Sequence, residues 1–240
     1  MATKKPSVKK NRQSLYKRIT NQISKVLIWF LLVSVLWVLA YRFINPPITL
    51  LMITRNLEHK AEGKPFKLEK SWVPFEEMSD NMKRAAVSAE DQLFLKHMGF
   101  DVKAIERAFK ENQKGKKIKG GSTISQQTAK NVFLWPGRSW LRKGFEAYFT
   151  LLIEMLWSKE RILEVYLNVI EMGDGIYGAE AAAQAYYGKS CRAMTKRQAA
   201  LIAACFPNPR RWTPDHPTRY IRHRQYLILR NMRVLGPLDF

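Results

Sequence analysis

The chain has 240 residues, enough for one globular domain with a sizeable core plus an appendage. A content of 46% hydrophobic and 25% charged residues excludes a disordered polymer, and two cysteines exclude a disulfide framework. The formal charge of +21 calls for an anionic partner: nucleic acid, acidic phospholipid or a phosphorylated substrate.

The order of residues narrows that choice. Lys4, Lys5, Lys9, Lys10, Arg12, Lys17, Arg18 and Lys25 crowd the N-terminus with no acidic residue among them, and an uncharged run follows to Tyr41. As a helix, 26–44 spans about 28 Å, close to the thickness of a bilayer's hydrocarbon core. Trp29, Trp37 and Tyr41 suit interfacial positions. A cleaved signal peptide is the competing reading, but Arg42-Phe43-Ile44-Asn45-Pro46-Pro47 is a poor cleavage site. We therefore expect a basic cytoplasmic tail over 1–25, a single-pass anchor over 26–44 and everything beyond about residue 45 outside. Nucleic acid drops out, because most of the chain would never meet it.

Pro46-Pro47 ends the anchor, and 45–71 reads as a stalk, with a short helix over 50–61 an equally good reading. A helix begins near Ser79-Asp80, either of which can cap it. Met82, Ala85, Ala86, Ala89 and Leu93 share one arc of it, with Glu90 at the border and Asp91 nearly opposite. The two carboxylates therefore cannot do the same job. A partly desolvated Glu90 would have a raised pKa suited to proton transfer, while Asp91 would bind locally. Taken alone, Glu90 is as readily a solvated helical glutamate.

A basic loop over 110–119 runs into Gly120-Gly121-Ser122-Thr123, where Thr123 and Gln126 have capping-box spacing. A glycine turn opening a helix suits an anion, which makes Ser122 and Thr123 candidate phosphate ligands; an ordinary capped helix is the alternative. Gln127 and Lys130 project together from that helix. The apolar run 132–136 ends at Pro136, Arg138 stands in the next turn, and Ser139 can cap a helix over 140–157. There Arg142, Lys143 and Glu146 lie opposite an apolar stripe of Phe145, Phe149, Leu152 and Leu156. They are either a plain intrahelical ion pair or a pyrophosphate site in which Glu146 holds a cation or a lysine. A helix opens at Ser158, a glycine-rich turn spans 173–178, and an alanine-rich helix over 179–187 closes at Gly188. Thr195 and Gln198 form a second capping box before 199–206, and 218–235 is a basic amphipathic helix. Cys205 reads as a buried small hydrophobe, Cys191 follows a turn, and one bridge between them stays open. With no strand-period run and no metal-spaced His or Cys cluster, the fold should be mainly α.

Five ordered stretches together resemble the membrane-anchored peptidoglycan glycosyltransferases of glycosyltransferase family 51, in their monofunctional form. They are Glu90-Asp91-x-x-Phe94-x-x-His97-x-Gly99-x-Asp101; Gly120-Gly121-Ser122-Thr123-Ile124-Ser125-Gln126-Gln127, with Ser125 where Thr is usual; and Arg142-Lys143-x-x-Glu146-Ala147. Then come Lys159-x-x-Ile162-Leu163-Glu164-x-Tyr166-Leu167-Asn168, leading to Gly173-x-Gly175-x-x-Gly178, and Ala199-Ala200-Leu201-Ile202-Ala203 with its trailing prolines.

The resemblance implies a lysozyme-like glycosyltransferase domain over 72–217 with a small membrane-proximal lobe, and 218–240 packed on it. It implies transfer of a lipid-pyrophosphate-linked glycan to the 4-hydroxyl of lipid II with inversion, with no room for a transpeptidase domain. By the same resemblance Glu90 is the base and Glu146 the second carboxylate; Lys130, Arg138 and Lys143 stabilise the pyrophosphate beside Gln127, with Ser122, Thr123, Asp91 and Arg142 nearby. A divalent cation, Mg²⁺ or Mn²⁺, is expected there, with Glu146 as the carboxylate offered to it, and no organic cofactor. The partners implied are lipid II, the lipid-linked glycan, the cell inner membrane and cell-wall synthesis or division proteins. Two rivals remain: a lysozyme-like hydrolase, which has no use for the cations, and a basic membrane scaffold, which has no use for Glu90.

Overall fold

The structure, a computed structural model, describes residues 8–113, 121–137 and 139–240. The chain divides into two units after Phe43. The first is helix α1 (Val8–Phe43), whose stretch Tyr16–Phe43 is long and apolar enough to cross a membrane. It carries the expected span and extends it into the basic tail.

The second unit, Ile44–Phe240, is mainly α, as expected. Helix α2 (Leu50–Ala61) opens on Thr49, whose side chain accepts from the Met52 N–H. Of the two readings of this segment, the structure shows the short helix over 50–61. Buried His59 places Nε2 3.1 Å from Asp174 Oδ1, and Lys67 N donates to Asn56 Oδ1 at 2.9 Å. Strand β1 (Glu69–Lys70) then joins the sheet edge. Helix α3 (Asp80–Glu90) is capped by Ser79 and buries Met82, Ala85 and Ala86. Asp91, extended at φ −160°, ends it.

Helix α4 (Val102–Gln113) starts where Asp101 Oδ1 accepts from Ala104 N at 2.8 Å. Helix α5 (Ile124–Phe133) opens with the full Thr123–Gln126 capping box, and α6 (Trp140–Leu156) with Ser139 accepting from Arg142 N. Helix α7 (Lys159–Val169) follows, then β2 (Glu171–Gly173) and β3 (Ile176–Tyr177). The strands, too short to show a period in the sequence, form a sheet of order β1-β3-β2. Helices α8 (Ala179–Tyr187), α9 (Lys196–Cys205) and α10 (Arg219–Leu235) complete the unit. Helix α9 packs against both α3 and α10, and α5 against both α6 and α7. Small residues make the first packing close: Ala199, Ala200, Ala203 and Ala204 are fully buried. Cys191 and Cys205 are free and buried, and burial pushes their thiols up to about 11 and about 12, which leaves them inert.

Two polar ties hold these layers in register. Buried Asn168 on α7 clamps the approach to α3: its Oδ1 accepts from Val73 N and its Nδ2 donates to Val73 O, each at 2.9 Å. The second tie corrects the reading of α6. Its buried face is Glu146, Phe149, Thr150, Ile153 and Glu154, whereas Phe145, Leu152 and Leu156 are only half-buried. Polar residues occupy the inner face because their partners are there. Glu154 Oε1 accepts from the Ser125 hydroxyl and from Lys159 Nζ, the latter at 2.7 Å. Lys159 Nζ also donates to His97 O at 2.7 Å and sits 4.6 Å from the centroid of the Phe94 ring. One cluster thus joins α5, α6, α7 and the loop after α3.

Gly99 lies against this cluster at φ +83°, where a Cβ would come within 2.7 Å of Thr150 Cγ2, so only glycine lets the loop pass. Replacing Lys159 by Met strips the buried Glu154 of its cation. The expected cost is about 3 kcal/mol, read as a lower urea midpoint for the full chain in detergent. An unchanged midpoint would show that the cluster does not stabilise the fold.

Candidate active site

Glu90 and Asp91, adjacent in sequence, have opposite environments because the helix stops between them. Asp91 is 6% exposed and turned inward. Its Oδ2 accepts from Ile124 N at 3.0 Å, and His97 Nε2 lies 2.8 Å from Oδ1. The carboxylate fills the N-terminus of α5, where free N–H groups and the helix dipole favour a negative charge. Asp91 thus supplies a negative charge at the helix start that Ser122 and Thr123 lead into. Thr123 is buried and its hydroxyl donates to Gly99 O at 2.6 Å. Ser122 is exposed on a recess it shares with Glu90.

With Asp91 anchored, the last residue of α3 faces α5. Glu90 Oε2 accepts from Gln127 Nε2 at 2.8 Å, and Gln127 Oε1 accepts from the Tyr166 hydroxyl of α7 at 3.4 Å. Burial raises the Tyr166 pKa well above its ordinary value, so this phenol stays a donor and sets the amide's orientation. Burial also raises the Glu90 carboxyl. The Gln127 bond and the positive charges of Arg224 and Lys130 offset part of that rise, and Asp91 adds to it. The helix-border reading of Glu90 is met, with the cause in α5 and α7 rather than α3 alone.

Two recesses meet at this pair. One, about 370 Å³, is lined by Glu90, Asp91, Asp101, Ala104, Ser122 and Thr123. The other, about 420 Å³, is lined by Gln127, Lys130, Asn131, Arg142, Trp135 and Tyr166 among others. Glu90 and its partner Gln127 thus form the partition. Burial lowers the Lys130 pKa; the Glu146 carboxylate opposes this, Arg142 and Lys143 add to it, and Glu90 opposes it. Lys130 is therefore felt by both carboxylates.

On α6, Lys143 Nζ lies 2.5 Å from Glu146 Oε1 and Arg142 NH1 lies 3.5 Å from Oε2. Glu146 is 3% exposed, whereas Lys143 is open to solvent. The trio forms the intrahelical ion pairs of the first reading, and Arg142 also lines the larger recess. Two cations on one carboxylate are a poor donor set for a divalent metal. Among the described residues no group of three His, Cys, Asp or Glu could hold one. Arg138 lies outside the described residues.

Sequence reasoning missed Arg224 on α10, whose Nε donates to Ala204 O at 3.1 Å and whose charge reaches Glu90. It also missed Tyr166 as the support of Gln127, and Asn131 in the cleft. Arg224 had no local signal, and Tyr166 was visible only as part of a motif.

A half-buried carboxylate, Glu90, thus stands beside a cleft lined by Lys130 and Arg142. A family model described as transglycosylase matches residues 58–233. A biosynthetic peptidoglycan transglycosylase of Pseudomonas syringae pv. syringae (strain B728a) is 49% identical over 222 residues, covering 92% of this chain and 94% of that protein. Proteins of the same description from Pseudomonas savastanoi pv. phaseolicola (strain 1448A / Race 6) and Pseudomonas fluorescens (strain SBW25) are each 50% identical. These matches cover 91% and 92% of this chain and 92% and 91% of those proteins. The chain belongs to the transglycosylase family and is a glycosyltransferase.

A raised carboxyl pKa has a definite sign in stability. Below the ordinary carboxylate range, near 4.5, folded and unfolded chains both hold the Glu90 proton; as pH rises through its folded pKa, the fold loses this contribution. Glu90→Gln removes the loss. We expect the variant to unfold at a higher temperature than wild type at neutral pH, with the difference vanishing in acid. A constant difference across pH would mean Glu90 is not desolvated.

Proposed function

We propose that the protein polymerises lipid II into glycan strands, with Glu90 as the general base. The observation that carries this reading is the partition: a carboxylate of raised pKa stands between two recesses, one of them lined by cations. The acceptor lipid II offers its sugar 4-hydroxyl to Glu90 in the smaller recess. Glu90 takes that proton as O4 bonds to C1 of the donor sugar held in the larger cleft. The C1–O bond to the donor's lipid pyrophosphate breaks, and its electron pair leaves with the pyrophosphate. Attack opposite the leaving group inverts C1. Lys130, Arg142, Lys143 and Arg138 meet the charge that develops on the leaving oxygen, where preorganised cations are most effective. Gln127 holds the base toward the acceptor.

The described residues also support a lipid-borne substrate. α1 is suited to a bilayer, and Trp140 and Leu141, at the start of the helix bearing the cations, are 93% and 69% exposed. Apolar side chains so exposed fit a lobe at the membrane surface. The basic N-terminus supports a tail in the cytoplasm and a catalytic unit on the outer face of the inner membrane.

The test is the full chain in detergent with labelled lipid II. Wild type forms polymer. Glu90→Gln should lower the rate by about 10³-fold, the scale of a lost general base. Lys143→Ala and Arg138→Ala should each lower it by about 10²-fold, as for one lost electrostatic contact in a transition state. The wild-type rate should fall in acid with an apparent pKa above the ordinary carboxylate value. Near-normal polymerisation by Glu90→Gln would refute the base, and cleavage of preformed glycan without polymer would identify a hydrolase instead.

A further inference from the structure

The larger cleft continues past Lys130 to a second polar pair that the chemistry above does not use. Arg55 of α2 and Glu171 of β2 both line it, together with Phe206 and Pro209. Arg55 Nε lies 3.4 Å from Glu171 Oε2, an ion pair without hydrogen-bond geometry. Glu171 has its side chain 8% exposed, and its Oε1 has no hydrogen-bond partner. A buried oxygen left without a hydrogen bond is destabilising. The pair is nonetheless held in place. Arg55 NH1 is 2.8 Å from Glu58, Glu58 is 3.3 Å from Arg210, and Arg210 is 3.3 Å from Asp174, which meets His59. A rigid donor and acceptor, both short of partners, face one cleft.

Their chemistry selects among the parts of a lipid-linked glycan. An isoprenoid chain would leave Oε1 desolvated and unbonded. A pyrophosphate would meet the negative Glu171. A charged amine gains little from a carboxylate that already has a guanidinium beside it. A neutral sugar fits each feature: its hydroxyl or amide N–H donates to Oε1, its carbonyl or hydroxyl accepts from Arg55, and its C–H face packs on Phe206 and Pro209.

We propose that Arg55 and Glu171 form a subsite for a sugar of the donor strand beyond the ring that reacts. The inference rests on the proposed function, because it takes the donor to lie in this cleft. The reacting ring must sit between Glu90 and the Lys130–Arg142 cations, so a ring held by the pair on α2 and β2 is a later one. The pair then grips a growing strand more than a single lipid II, and it favours elongation over initiation.

The experiment compares wild type with Glu171→Ala, Glu171→Gln, Arg55→Gln and the Glu171→Ala/Arg55→Gln double variant. Each is given labelled lipid II, and the rate of the first coupling and the length distribution of products are measured. Losing a hydrogen bond to a charged group lowers affinity by about tenfold. We expect mean product length to fall by about that factor in Glu171→Ala and Arg55→Gln while the first coupling stays within about twofold. Glu171→Gln keeps an oxygen acceptor and should restore part of the length, and the double variant should lose little beyond the singles. An unchanged length distribution would overturn the subsite. So would an equal loss of first coupling and length, which would place the pair at the chemistry or in the fold; thermal unfolding of each variant separates those two. Failure of wild type to polymerise would refute the proposed function itself.

Discussion

The site depends on one charge placed at one helix end. Asp91 ends α3 and at once caps α5 through Ile124 N, bridging 33 residues of sequence. Its second contact, to His97, fixes the loop that carries Gly99 over the Glu154 cluster. Because Asp91 is pulled inward, Glu90 must be the residue left facing Gln127. Helix dipole, buried carboxylate and loop geometry all act on the neighbour of the base, so its position follows from the fold's own stabilisation.

Local rules explain how much of this could be read beforehand. Side-chain caps at Ser79, Thr123, Ser139, Ser158, Thr195 and Thr218 are short-range chemistry, and each marks a helix start that the structure shows. The Glu90 border position followed from helical phase alone. What stayed hidden is long-range and polar. Nothing near Glu154 tells that Ser125 and Lys159 will meet it, so the inner face of α6 was placed on its apolar residues. Nothing near Ser122 and Thr123 tells that a carboxylate from α3 already occupies their helix N-terminus. Arg224 and the Arg55–Glu171 pair are hidden in the same way. Arg224 and Arg55 belong to helices whose visible signal is hydrophobic periodicity, Glu171 to a strand too short to show any, and charge partners across the fold are not periodic.

The same network sets the state of the charges. Burial disfavours ionised Glu90 and ionised Lys130 alike, and each lies in the other's field. Their mutual attraction offsets part of the desolvation that either would suffer alone. Glu90 thus has a raised pKa and Lys130 a lowered one, each chiefly through burial. The fold bears this as lost stability, the usual balance at a reactive site.

The α6 trio completes this logic. Lys143 and Arg142 would repel each other in an empty cleft, and Glu146, buried beneath them, removes that repulsion before any substrate arrives. Glu146 is too enclosed to follow the substrate, while Lys143, open to solvent, can turn from it to a phosphate. On the proposed mechanism, as charge builds on the leaving oxygen, its attraction to Arg142 and to a Lys143 already turned toward it grows while the Arg142–Glu146 contact stays constant. The difference favours the transition state over the bound donor, which is the condition for a faster chemical step rather than tighter binding. On that reading Glu146 acts through the cations it holds.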